Sequence, residues 1–211
     1  MPREARLEES HVRALAGPLR PLPSWQPATV AELGVQSGRL DDRVALITGA
    51  GSGIGRAMAE EFATRGALIA ACDLDAESAA DTAARAKSAG APDAISVAAD
   101  VASATDVSRA VAETLERLGR VDVLCSNAGI LDGYADALAT DEELWDRVLG
   151  VNLKAAWLTS RAVLPDMLER GAGCIIITAS VAGGMTVPIP APWMKNRPPS
   201  TQIGVVMPSV W

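Results

Sequence analysis

An apolar run, Val44-Ala45-Leu46-Ile47, leads straight into Thr48-Gly49-Ala50-Gly51-Ser52-Gly53-Ile54-Gly55, and a helix-forming segment follows at once. Few folds have a use for four glycines in seven residues at such a junction. The spacing implies a chain that turns sharply off a strand and whose backbone approaches another group closely. The start of the following helix presents free N–H groups and a partial positive charge, which suits a pyrophosphate. Glycine clusters also serve as plain turns, so the position between strand and helix carries the inference.

The rest of the middle of the chain repeats that strand–helix alternation. The helix from about Ile54 to Arg65 is ended by Gly66, and Ala67–Cys72 reads as the next strand. Ala76–Ser88 reads as a helix, Ala94–Ala98 as a strand, and Thr105–Leu118 as a helix closed by Gly119. Val121–Ser126 is a fourth strand, Glu142–Glu169 a long helical stretch and Cys174–Thr178 a fifth strand. Strands that are apolar without alternation are buried on both faces, as in a parallel sheet covered by helices. The expected fold class is therefore α/β, a doubly wound parallel sheet of Rossmann type.

Proline marks the limits of this unit. Five prolines fall within residues 1–27 and six within 188–208, but only Pro92 and Pro165 lie between. Proline removes a backbone donor and breaks regular elements. We expect a poorly structured leader over 1–38, a dinucleotide-binding domain over 39–184 and an irregular proline-rich tail over 185–211. The leader lacks the apolar core of a secretory signal, and Glu4, Glu8 and Glu9 argue against an organellar transit peptide.

An acid at the end of the second strand sharpens the ligand. Asp73 lies 24 residues after Gly49, where a carboxylate accepts hydrogen bonds from the adenosine ribose hydroxyls and repels a 2′-phosphate. No lysine or arginine stands in Cys72-Asp73-Leu74-Asp75 to receive that phosphate, so NAD is favoured over NADP. Asp75 reads instead as the cap of the next helix.

Charge and composition narrow the partners. A net charge of -7 with no basic stripe argues against nucleic acid and anionic membranes. No apolar stretch approaches the roughly 18 residues of a membrane span. Cys72, Cys125 and Cys174 sit in or at the ends of apolar runs without metal spacing and read as buried thiols, which fits a reducing cytoplasm. The single histidine, His11, lies in the leader, so no metal site is expected.

Taken in order, the motifs resemble those of the short-chain dehydrogenases/reductases. Thr48-Gly49-x-x-x-Gly53-Ile54-Gly55 is similar to that family's glycine motif, with Gly51 and Ser52 inside it. The resemblance implies that Asp100-Val101 touches the adenine ring and that Asn127-Ala128-Gly129 stabilises the central sheet. It implies that Asn152 holds a proton-relay water and that Ser180, after the fifth strand, is the catalytic serine. It covers roughly residues 39–184. The activity implied is NAD(P)-dependent oxidation of a secondary alcohol or reduction of a carbonyl, by a homo-oligomer in the intact family member.

The resemblance stops short of the proton donor. In the family a tyrosine follows the serine by about thirteen residues and a lysine follows that by four. Those places hold Trp193 and Arg197, and Pro188 supports the register. An indole cannot act as acid and base near neutral pH, and a guanidinium does not copy a compact ammonium. The only tyrosine, Tyr134, precedes the serine. We expect a catalytically impaired chain, truncated or frame-shifted near Gly184, whose sheet is incomplete on the C-terminal side. The alternatives are a non-catalytic NAD(H)-binding protein acting through a partner, and a non-functional fragment. The substrate is not legible, since the fold hosts many.

Overall fold

The computed structural model describes residues 39–131, 133, 138–179 and, as backbone only, 203–206, all within the unit Gly38–Trp211. Five strands follow the expected order: β1 (Val44–Thr48), β2 (Leu68–Asp73), β3 (Ala94–Ala98), β4 (Val123–Ser126) and β5 (Gly173–Ile177). Between them run α1 (Gly53–Thr64), α2 (Ala76–Ala89) and α3 (Ala104–Leu118). The connection from β4 to β5 carries α4 (Glu142–Leu149), a π-turn segment (Gly150–Lys154) and α5 (Ala155–Arg170).

A sixth strand, β6 (Ile203–Val206), pairs with β5 inside the stretch that the sequence reads as an irregular tail. The physical reason is local: Ile203-Gly204-Val205-Val206 is a short β-branched run standing clear of Pro199 and Pro208. All strand pairs are parallel, in the order β3-β2-β1-β4-β5-β6.

Both faces of the sheet are covered, which explains the absence of alternation in the strands. All five residues of β1 are buried. Ala45 and Ile47 pack into a layer with Ala59 and Ala63 of α1 and Ala83 and Ala86 of α2. Leu46 points the other way, into a layer with Ala110 and Val111 of α3 and Val163 and Met167 of α5. Alanine on α1 and α2 lets those helices lie close to the sheet.

The amino ends of the strands are clamped by charge. Asp122, 5% exposed, accepts the Val44 N–H at 3.0 Å and pairs with Arg43, Arg120 and Arg170. Removing one partner of such a buried cluster is costly, because the remaining charges lose their compensation. The clamp leaves the carboxyl ends of the strands for other work.

The long helical stretch read over 142–169 is interrupted. In the π-turn segment the Ala155 N–H reaches back to the Gly150 carbonyl, which inserts one extra residue into the helix. Asn152, within this segment, bonds both the N–H and the carbonyl of Ile130.

Candidate functional site

β1 is flanked by β2 on one side and β4 on the other, so the chain reverses its direction of winding there. At such a switch point the loops leaving the two central strands part and open a crevice at their carboxyl ends. Thr48 is in register with Cys72, and Ile47 with Cys125, which sets Gly49, Asp73 and Asn127 along one edge. The motif residues come together because each directly follows a strand of a parallel sheet.

The glycines allow close approach. A Cβ on Gly55 would lie 2.7 Å from the Gly49 carbonyl carbon and 2.8 Å from Asn127 Nδ2. A Cβ on Gly49 would lie 2.8 Å from Ala128 Cα, so the β1 and β4 loops touch backbone to backbone. Thr48, 2% exposed, ties the same loops together: its hydroxyl accepts the N–H groups of Asn127 at 3.0 Å and Ala128 at 3.1 Å. Its own proton goes to the Cys125 carbonyl, 3.4 Å away. The Asn127 amide donates to the Thr48 and Gly49 carbonyls and accepts the Thr178 hydroxyl at 3.1 Å. Thr178, directly after β5, is a support to which the sequence analysis gives no role beyond ending the fifth strand.

Asp73 lies against this turn. One carboxylate oxygen accepts the Gly51 N–H at 2.7 Å and the other accepts the Asp75 N–H at 3.0 Å. Asp75 caps α2, as read, by accepting the Glu77 N–H. The Ser78 hydroxyl, followed by the Glu77 N–H, holds the Asp75 carboxyl below the usual carboxylate range. Two apolar side chains of these loops, Ile54 in the turn and Leu74 next to Asp73, are exposed, at 55% and 75%. Asp100 is exposed and accepts the Ala102 N–H at 2.8 Å, while Val101 is buried beneath it.

The helix ends differ in a way that bears on charge. α2, α3 and α4 each have a side-chain cap and a carboxylate in the first turn. α1 has neither: Ser52 makes no capping bond, and the first turn holds no acid. Its N–H groups and dipole are therefore available to an external anion. Two residues that the sequence reading passed over also hold the turn. The Thr82 hydroxyl donates to the Ala50 carbonyl at 2.9 Å, and Arg56 donates to the Gly51 carbonyl. No signal in the sequence pairs Arg56 with Thr82, 26 positions apart on two helices, so only the packing of α1 on α2 reveals them.

Asn152 sits in the π-turn segment and is exposed on the crevice side. Its amide accepts the Ile130 N–H at 2.8 Å and donates to the Ile130 carbonyl at 2.9 Å, pinning the chain just beyond Gly129. Ser180, Trp193, Arg197 and Tyr134 lie outside the described residues. Among the described residues no cluster of His, Cys, Asp or Glu is placed to hold a metal, and no helix is long and apolar enough to cross a membrane.

Residues 43–193 match the short chain dehydrogenase family. The chain is 46% identical over 148 residues to a 2-(R)-hydroxypropyl-CoM dehydrogenase of Xanthobacter autotrophicus, covering 69% of this chain and 59% of the relative. It is 44% identical to a D-threitol dehydrogenase of Mycolicibacterium smegmatis over 68% of this chain and 55% of that one. Among solved structures, a 3-ketoacyl-(acyl-carrier-protein) reductase from Brucella melitensis complexed with NADH superposes with a TM-score of 0.64 at 38% identity, over 69% of this chain and 59% of its own. An NAD+-bound xylitol dehydrogenase gives 0.67 at 32% identity, over 72% and 58%. The chain thus spans under two thirds of the length of these relatives.

Proposed function

The chain belongs to the short-chain dehydrogenase family, and from that premise we propose that it binds NAD(H) at the carboxyl ends of β1, β2 and β4. The pyrophosphate lies against the turn from Thr48 and Gly49 through Gly51, Ser52, Gly53, Ile54 and Gly55 and is held by the N–H groups at the start of α1, the Gly51 N–H being taken by Asp73. Asp73 takes the adenosine ribose and Asp100-Val101 the adenine, while Asn127-Ala128-Gly129 supports the wall of the site. The observation that carries this reading is the Asp73 carboxylate held 2.7 Å from the Gly51 nitrogen beside a helix N-terminus without a cap or acid.

NAD is favoured over NADP, because a fixed carboxylate at the ribose repels a 2′-phosphate by about 1 kcal/mol or more even across solvent. Titration of the full chain with NADH, followed by energy transfer from its five tryptophans, tests both points. We expect saturable binding at least about fivefold tighter for NADH than for NADPH, and Asp73→Ser narrowing that gap. Absence of saturable NADH binding would remove the reading.

The reaction class is transfer of hydride between a secondary alcohol or ketone of small size and the nicotinamide, which supplies the hydride donor or acceptor when bound. Ser180 donates a hydrogen bond to the substrate oxygen, and Asn152 orients the chain around the substrate side of the crevice. The proton step is where this chain departs from its family. Trp193 holds the place of the general acid and Arg197 that of its lysine, and losing a positioned acid/base costs about 10²–10⁴ in rate. That departure also favours a second reading, NAD(H) binding without turnover by a protein acting through a partner. Alcohol-dependent NADH formation at ordinary family rates would exclude both the second reading and the impairment.

On the same premise the unit works in a reducing cytoplasm, with the dinucleotide-binding domain over 39–184 extended at its edge by β6, and it self-associates. Trp145, Leu149, Leu153 and Trp157 recur every fourth residue along α4, the π-turn segment and α5 and are 38–57% exposed. Glu142, Glu143 and Asp146 outnumber Arg147 before that stripe's centre and Lys154 and Arg161 follow it, so two copies packed antiparallel match net opposite charges. Light scattering showing only monomers at micromolar concentration would exclude self-association.

A further inference from the structure

The N–H groups of a glycine turn serve an anion only if the carbonyls of that turn point elsewhere. A trans peptide sets its C=O and N–H in opposite directions, so whatever binds a carbonyl also aims the next N–H. Here two successive carbonyls of the turn are taken by side chains from outside it. Thr82, fully buried on α2, donates to the Ala50 carbonyl at 2.9 Å. Arg56, in the first turn of α1, donates to the Gly51 carbonyl and, through Nε, to the Thr82 hydroxyl at 3.2 Å. The same guanidinium pairs with Asp81 at 3.4 Å.

The consequences can be followed peptide by peptide. In the Ala50–Gly51 peptide the carbonyl is held by Thr82 and the N–H by Asp73, so neither end is free to turn. In the Gly51–Ser52 peptide the carbonyl is held by Arg56, which directs the Ser52 N–H the opposite way, out of the protein at the start of α1. Thr82 is the pivot, since its one hydroxyl both donates to the turn and accepts from Arg56. Arg56 is held below the turn with its donors engaged by Gly51, Thr82 and Asp81.

We propose that Arg56 and Thr82 are positioning residues for the pyrophosphate: by holding the Gly51 and Ala50 carbonyls they preset the turn with the Ser52 N–H facing the anion, and they do so without touching the ligand. This rests on the NAD(H) reading above. The free turn is thereby already in its binding conformation, and the cost of ordering it does not fall on the ligand.

The experiment measures dissociation constants of the full chain for NADH and for ADP-ribose, alongside the melting curve of each free variant. Thr82→Val keeps the shape and removes the hydroxyl; Thr82→Ser keeps the hydroxyl. We expect Thr82→Val to weaken both ligands by about tenfold and Thr82→Ser to stay within about twofold of wild type. Should Thr82→Val fail to fold, Arg56→Gln, at a side chain 29% exposed, carries the same expected loss. Arg56→Lys keeps the charge without the planar fork, and is expected to weaken binding as Arg56→Gln does.

Variants that melt lower but bind both ligands as wild type does would reduce these residues to scaffold and overturn the proposal. Full affinity in Arg56→Lys would overturn it differently, by making Arg56 a charge that attracts phosphate. Failure of the wild-type chain itself to bind NADH would sink the cofactor reading and this proposal with it. Wild-type binding with unmoved variants would sink the proposal alone.

Discussion

Gly55→Ala sets helix propensity against tertiary contact, and the two predict opposite signs. Gly55 is a buried residue of α1, and alanine in place of glycine inside a helix gains about 1 kcal/mol. The new methyl would lie 2.7 Å from the Gly49 carbonyl carbon, where ordinary contact begins at 3.4 Å, and 2.8 Å from Asn127 Nδ2. The nearest atoms belong to the Gly49 carbonyl, which is backbone, so no rotamer relieves the contact and α1 itself must shift. Overpacking of this kind costs about 1–3 kcal/mol. The retreat also strains the bond from Asn127 to the Gly49 carbonyl, already 3.4 Å long.

A contact this close belongs in the upper part of that range, about 2–3 kcal/mol, so after the propensity gain of about 1 kcal/mol we expect a net loss of about 1–2 kcal/mol and a fall in Tm of roughly 2–8 °C. NADH affinity should drop by more than that loss implies, at least about tenfold, because the displaced N–H groups no longer converge on one anion. Gly53→Ala is the control: a Cβ there meets nothing within 4 Å, so its cost is the left-handed backbone at φ +51, about 1–2 kcal/mol. Thermal melts with NADH titrations decide the matter. Gly55→Ala melting at or above wild type with unchanged affinity would refute the close-approach argument.

Three further outcomes are expected. Thr48→Val should cost about 2–3 kcal/mol in urea denaturation, because the N–H groups of Asn127 and Ala128 both lose their acceptor; an unchanged midpoint would show that the two loops are held otherwise. Burial pushes the Cys72 and Cys125 thiols up to about 12, so neither should react with a disulfide reagent at pH 8 until the chain is unfolded, and fast native labelling of either would contradict their placement. Hydrogen bonds from Arg170 hold the Asp166 carboxyl below its ordinary value of 3.8. A depressed carboxylate stabilises the fold above its unfolded pKa, and that contribution is lost as pH falls through the folded value. Asp166→Asn should therefore lower stability by about 1 kcal/mol at neutral pH, with the gap to wild type closing below pH 3.8; a gap independent of pH would assign the loss to packing.

Much of this was open to reading in one dimension. Strand and helix alternation from Val44 to Thr178 came through because β1, β2 and β4 are buried on both faces and each helix ends at a glycine or begins at a capping acid. Gly49, Asp73, Asp100 and Asn127 could be gathered into one site because a parallel sheet delivers every strand end to the same edge. β6 escaped because a four-residue apolar run among prolines carries too little periodicity to distinguish strand from tail. The break at Gly150–Lys154 escaped because an extra residue in a helix leaves the local composition unchanged.

Local sequence thus determined the order of elements, the turn that follows β1 and the chemical character of the crevice, since these depend on neighbours a few residues apart. Tertiary structure alone decided the rest. Asn152 closes on Ile130 through the π turn, Thr48 joins two loops about 80 positions apart, and Arg56 meets Thr82 across two helices. The reason is physical: a hydrogen bond between distant residues depends on the packing that brings them within about 3 Å, and no local propensity records that distance.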